Sequence, residues 1–198
     1  MTLRYRTPPT TSLQALRAAS SSLRPAANPR LRTVGRVFPI ERTVDEPIPQ
    51  AFPAYNLGLN SILDPQSGLR GAIHTGWHYL IDDEVSATVM VGKDPNSHQF
   101  ASFTRGRLPA TLAQRVIALN DDPRLSRRNV ELSLLEVPAL YVTALWLRDG
   151  DADPLNDLLL PVLSDQPALA EGRLINAADF IGALVVPARN ALANPSAR

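Results

Sequence analysis

Three histidines, nineteen carboxylates and no cysteine bound the chemistry that this chain can carry. His74 and His78 stand four residues apart, with Asp82 and Asp83 just beyond them. Two imidazoles and a carboxylate form a divalent-metal ligand set, and His74, His78 and Asp82 around an ion would suit a small metal-dependent hydrolase. The spacing argues against this. On a strand, residues four apart are separated by about 13 Å at roughly 3.3 Å per residue, too far for one ion. A helix would bring them together, but Gly71, Gly76 and the alternation of aromatic residues oppose a helix. In the strand reading, His74 and His78 share one face, opposite Trp77 and Tyr79, and are polar or partner-facing groups.

Asp149, Asp151 and Asp153 take the first, third and fifth positions of an EF-hand-like loop, a spacing that can wrap oxygen ligands around a cation. The pattern then fails, with Pro154 where glycine is required and Leu160 where a bidentate glutamate would close the shell. An acidic turn between strands is the simpler reading. No cysteine nucleophile, thiolate metal site or disulfide is available. There is no G-x-S-x-G elbow, Walker A loop, G-x-G-x-x-G run or H-E-x-x-H pair, and the adjacency of Ser97 and His98 is no evidence of a triad assembled in space. The Asp82-Asp83-Glu84 carboxylates read as a solvated turn with ordinary acidity. The sequence calls for no cofactor.

The cations are distributed unevenly. The first forty residues hold Arg4, Arg6, Arg17, Arg24, Arg30, Arg32 and Arg36 with no acid, and Glu41 is the first carboxylate. Beyond them, thirteen cations face nineteen acids, so a basic arm precedes a mildly acidic body. Nineteen of the twenty cations are arginine, which reflects GC-rich coding of a bacterial kind and weakens any argument from the guanidinium fork. The absence of acids is the stronger signal, and it points to a partner with an acidic surface. Arg105, Arg107, Arg124, Arg127 and Arg128 offer a second basic group, but Asp121 and Asp122 beside it favour local ion pairing.

The elements that must position these residues follow from proline density and hydrophobic period. Half of the eighteen prolines fall within the first sixty-five residues, where long regular elements are excluded, except for a short helix over Ser12–Leu23. From Ile73 the period changes to two. Trp77, Tyr79 and Ile81 alternate with His78 and Leu80, then Val85, Ala87, Val89 and Val91 alternate with Ser86, Thr88 and Met90. A Lys93–Asn96 turn and a strand over Phe100–Thr104 complete an antiparallel meander. Leu108, Leu112, Val116 and Leu119 mark one helical face behind Pro109. Val130–Val137 and Ala139–Leu147 read as strands around Pro138, the second apolar on both faces. Leu158–Leu163 reads as a short strand interrupted by Pro161. Asn176 with Asp179 caps a last helix through Phe180, Ile181, Leu184 and Val185 that Pro187 limits, although residues 180–186 also fit a strand.

The expected architecture is therefore α+β. It comprises an antiparallel sheet, a meander of about five to six strands, with two packed helices and an extended N-terminal arm. Residues 1–55 form the Arg/Pro-rich arm and residues 56–198 a single body. No run approaches eighteen apolar residues, and no apolar stretch follows the N-terminal arginines, so a cytoplasmic protein without a membrane span is expected. The leading functional expectation is a non-catalytic binding or assembly protein, with its arm docked on a neighbouring subunit of a homo-oligomer or on a protein partner. The metal-dependent hydrolase and nucleic-acid binding through the arm are the competing expectations.

Overall fold

The computed structural model of the chain describes residues 3–22, 50–81, 84–125, 128–150 and 153–194. Its centre is one eight-stranded sheet in the order β4-β3-β2-β1-β5-β6-β7-β8. The strands are β1 (Gln50–Asn56), β2 (Ile73–Leu80), β3 (Val85–Val91), β4 (His98–Arg105), β5 (Glu131–Val137), β6 (Val142–Arg148), β7 (Leu158–Ser164) and β8 (Ile175–Asn176). Among the described residues four α-helices accompany them: α1 (Thr10–Ser22), α2 (Leu59–Leu63), α3 (Arg107–Asn120) and α4 (Ala177–Ala193). All strand pairs are antiparallel except β1 with β5.

The expected count of five to six strands is corrected to eight. β8 is only two residues long, and β1 lies in the proline-dense stretch assigned to the arm, running across the boundary at residue 55. Proline 53 is tolerated in this central strand because β1 pairs with β5 only over Ala54–Asn56, so the proline precedes that ladder. The meander β2-β3-β4 and the α3 face of Leu112, Ala113, Val116 and Leu119 match the period of the sequence. Two prolines act differently from expectation. β7 continues through Pro161 with an irregular register beside it, and α4 continues through Pro187 to Ala193. Residues 180–186 are helical, started by Asn176, whose side chain accepts the Asp179 amide at 2.8 Å.

Alternation along the strands separates two apolar layers. On one face Tyr55, Leu135, Val137, Ala144, Trp146 and Leu159 meet α2 and α4, while Trp77, Tyr79, Ala87 and Val89 meet Leu13 and Leu16 of α1. On the other face Phe52, Leu80, Leu132, Leu134, Leu145, Leu147, Leu160 and Val162 meet α3. The order has a two-fold character. Each half starts at the centre, walks outward through antiparallel strands and ends in a helix, α3 on one face and α4 on the other.

One irregularity decides where side chains point. Tyr55 pairs with His74 but Ala54 pairs with Gly76, so Thr75 is an extra residue and β2 is bulged there. Gly76 has φ +153°, and a Cβ on it would run into the Val89 carbonyl oxygen and the Met90 Cα. Gly76→Ala is therefore expected to lower stability by about 3 kcal/mol, measured by chemical denaturation. A loss below 1 kcal/mol would mean that the bulge relaxes without cost.

Candidate functional site

The described part of the basic N-terminal stretch lies against the body. The Arg4 amide donates to the Val130 carbonyl at 2.9 Å, and the Leu132 amide donates to the Arg4 carbonyl at 3.0 Å, making a parallel bridge to Glu131. This is the edge of β5 that β1 occupies further along, over Leu134–Glu136. Residues 3–5 thus fill the gap left where β1 and β5 separate. Leu3 is buried in the α3 layer, the Tyr5 ring meets Phe52 at 6.2 Å, and the Tyr5 hydroxyl bonds the side chains of Gln50 and Asn120. Burial of Tyr5 raises its pKa, with those hydrogen bonds opposing.

Further along, α1 lies over β3 and β4, with Leu16 buried. The Ser12 hydroxyl, fully buried, bonds the Tyr79 hydroxyl at 2.7 Å, and burial pushes Tyr79 up to about 12. Thr11 bonds His98 Nδ1 at 2.8 Å. Arg4, Arg6 and Arg17 are exposed. Arg24, Arg30, Arg32 and Arg36 lie outside the described residues.

Beside this segment the sheet carries an aromatic and cationic cluster on the α1/α4 face. The Arg148 guanidinium stands over Tyr55 at 5.2 Å and over Trp146 at 4.9 Å, and donates to the Tyr55 hydroxyl at 2.8 Å. It forms an ion pair with Glu131 at 3.8 Å, longer than a hydrogen bond, and its charge also acts on Asp157. Tyr55 also meets His74 at 5.2 Å, and His74 meets Trp77 edge-on at 6.1 Å. Trp146 donates its indole N–H to buried Asp157 at 2.8 Å, and Asp157 also accepts the Asp149 amide at 2.9 Å. Burial raises the Asp157 pKa, and these hydrogen bonds oppose the rise. No sequence signal marked Arg148, Tyr55 or Asp157, because their partners come from strands distant in the chain.

The expected pairing of His74 and His78 on one face is corrected by the Thr75 bulge. His74 shares the face of Tyr55 and Trp77, whereas His78 sits opposite Phe52 on the other face, beside Thr88 Oγ1 at 3.4 Å. They cannot hold one ion. Asp82 and Asp151 lie outside the described residues. Asp153 caps the Leu155 amide and pairs with Arg70 at 3.0 Å, so its carboxylate is engaged in the fold. Among the described residues, no group of three or more His, Asp or Glu side chains is placed to hold a metal. Three members of the second basic group are in ion pairs, Arg124 with Asp122 through two side-chain nitrogens, Arg105 with Glu84 and Arg107 with Glu171, while Arg128 donates to the Asn156 carbonyl at 3.5 Å. Arg127 lies outside the described residues. No helix among the described residues is long and apolar enough to cross a membrane.

No family model, curated protein or solved structure matches this chain.

Two predictions follow from the buried polar groups. His78 is 2% exposed, its Nε2 has no partner, and burial pushes its pKa down to about 4 from 6.5. Between those values the unfolded chain takes up a proton that the fold refuses, so stability is complete above pH 6.5 and falls as pH drops toward 4. The full effect is about 3 kcal/mol. Glu136, raised by burial, contributes the opposite slope, so the His78 part is read as a difference. Denaturation curves of His78→Phe and the parent protein should diverge across this window; parallel pH profiles would assign the acid response elsewhere. Tyr79→Phe leaves the buried Ser12 hydroxyl without its partner and should cost about 1–2 kcal/mol by chemical denaturation. A neutral result would show that this bond does not hold α1.

Proposed function

We propose that the protein is a non-catalytic binding or assembly protein, whose basic N-terminal segment docks on a neighbouring subunit or a protein partner. The observation that supports this reading is the strand-like seat of Arg4 along Val130–Leu132. Backbone hydrogen bonds to an open strand edge recognise an extended segment whatever chain it comes from. The adjoining contacts of Leu3, Tyr5, Ser12 and Leu16 give the seat its shape.

The segment is joined to β1 through residues 23–49, which span at most about 90 Å when extended. A covalent tether of that length allows the same seat to be filled from within the chain or from a second copy, and exchange of an identical element is a low-cost route to oligomers. The remaining arginines of the basic stretch, Arg24, Arg30, Arg32 and Arg36, are assigned to the acidic surface of the same partner, an attraction that salt screens.

A protein lacking residues 1–22 exposes the Val130–Leu132 edge and the surface of Trp77, Tyr79, Ala87 and Val89. It is expected to bind a fluorescent peptide of residues 1–22 saturably, and to change its mass in light scattering relative to the full chain. A folded truncation that neither binds the peptide nor changes its state of assembly would overturn this reading.

A further inference from the structure

At the end of the sheet away from the Arg4 bridge, the α3 face carries a carboxylate and an amide oxygen that nothing satisfies. In the parallel ladder Asn56 of β1 lies beside Glu136 of β5, and Glu136 lies beside Thr143 of β6. Neighbouring strands stand about 4.8 Å apart, so these side chains leave the sheet next to one another. Their direction follows from alternation. Tyr55, Leu135, Val137, Val142 and Ala144 are buried in the layer of α2 and α4, which turns Asn56, Glu136 and Thr143 to the opposite face.

Neither acceptor has a partner. Asn56 Oδ1 is buried and receives no hydrogen bond. Burial raises the Glu136 pKa, and no hydrogen bond or neighbouring cation opposes the rise. The Leu57 amide beside them donates to the main-chain carbonyl of Glu136 at 2.9 Å, not to its carboxylate. A buried carboxylate without a counter-charge, next to a buried carbonyl oxygen without a donor, is the arrangement that a cation bearing N–H groups relieves.

The border of this pair is open and apolar. Ile73, the cross-strand partner of Asn56, is 70% exposed. Met90, opposite Gly76 and turned away from the α1 layer that holds Val89, is 47% exposed. The α3 layer takes in Phe52, Leu134 and Val162 and leaves these two side chains uncovered. Two oxygens sharing one charge are too few for calcium, which takes about six to eight oxygen ligands, whereas uncovered hydrocarbon beside them suits an organic cation.

We propose that Glu136 and Asn56 form a binding site for a guanidinium or ammonium group carried on an aliphatic stem. Glu136 takes the charge, Asn56 Oδ1 accepts a further N–H, and Ile73 and Met90 line the stem. The site lies on the face opposite α1 and is independent of where the N-terminal segment docks.

The test uses the full chain and the Leu57 amide resonance, followed by NMR as n-butylguanidinium, n-butylammonium or tetramethylammonium chloride is added at constant ionic strength. The two alkyl cations are expected to shift it saturably, and tetramethylammonium, a charge without an N–H, is not. Blocked arginine, acetyl-arginine-N-methylamide, is a further arm. Tighter binding than n-butylguanidinium assigns the site to an arginine side chain of a protein partner, and equal or weaker binding assigns it to a free amine or guanidine. Glu136→Gln keeps the side-chain shape while removing an unpaired charge, and should weaken the saturable response about tenfold, the value of one charge-assisted hydrogen bond. Asn56→Ala should weaken it about fivefold, the value of a neutral one. Equal shifts with tetramethylammonium would show screening only and overturn the site, as would an undiminished response in Glu136→Gln.

Discussion

The whole arrangement depends on what happens where β1 and β5 part. Among the described strands these two are the only parallel neighbours, and they pair over three residues before separating. A sheet that splits at its centre leaves backbone donors and acceptors of β5 unpaired beside the buried side chains of Val130 and Leu132. Leaving them so would cost on the order of a lost hydrogen bond each. The chain resolves this with its own first residues: Arg4 gives its amide to Val130 and its carbonyl to Leu132. Once that bridge is in place, Leu3 must enter the α3 layer and the following residues must run to the other side, where α1 covers Trp77 and Tyr79. The position of α1 is thus a consequence of the central split.

The second constraint is the bulge at Thr75 and Gly76. One inserted residue reverses the alternation, and every side chain N-terminal to it changes face. His74 joins the aromatic cluster with Tyr55 and Trp77, while His78 is turned inward beside Thr88. A regular β2 would have set the two histidines on one surface. The bulge instead gives them separate environments, one half-open among cations and one buried without a counter-charge.

These two irregularities also explain what could be read in advance. The period-two runs of β2, β3 and β5 and the apolar face of α3 are local signals found where the pattern put them, whereas β6 starts only at Val142, because Pro138–Leu140 form a 3-10 turn closed by left-handed Tyr141. β1 was hidden because Pro53 reads as a breaker, and nothing local reveals that its strand pairs with β5 only beyond that proline. The bulge was partly visible as Gly76 inside a strand pattern, a known mark of such sites. Its consequence for His74 was not, since the clash that makes glycine necessary comes from Val89 and Met90 on another strand. The cluster around Arg148 was illegible for a similar reason. Tyr55, Trp146 and Asp157 are scattered through the sequence, and only the strand order makes them neighbours.

The two halves of the sheet, similar in topology, differ in how completely they obey the rules of burial. β6 and β7 carry continuous apolar faces, covered by α3 and α4, and contribute no buried side-chain polar atom without a partner among the described residues. Such atoms fall on Asn56, Trp77, His78, Ser86, Glu131 and Ser133, on β1, β2, β3 and β5, with Arg115 of α3 the one exception. Each unpartnered buried group is a cost of about 1–3 kcal/mol that a purely structural sheet would shed. Local rules are broken where a fold serves something beyond its own stability. The apolar layers of β6 and β7 under α3 and α4 supply stability against which β1, β2, β3 and β5 keep these polar groups unsatisfied.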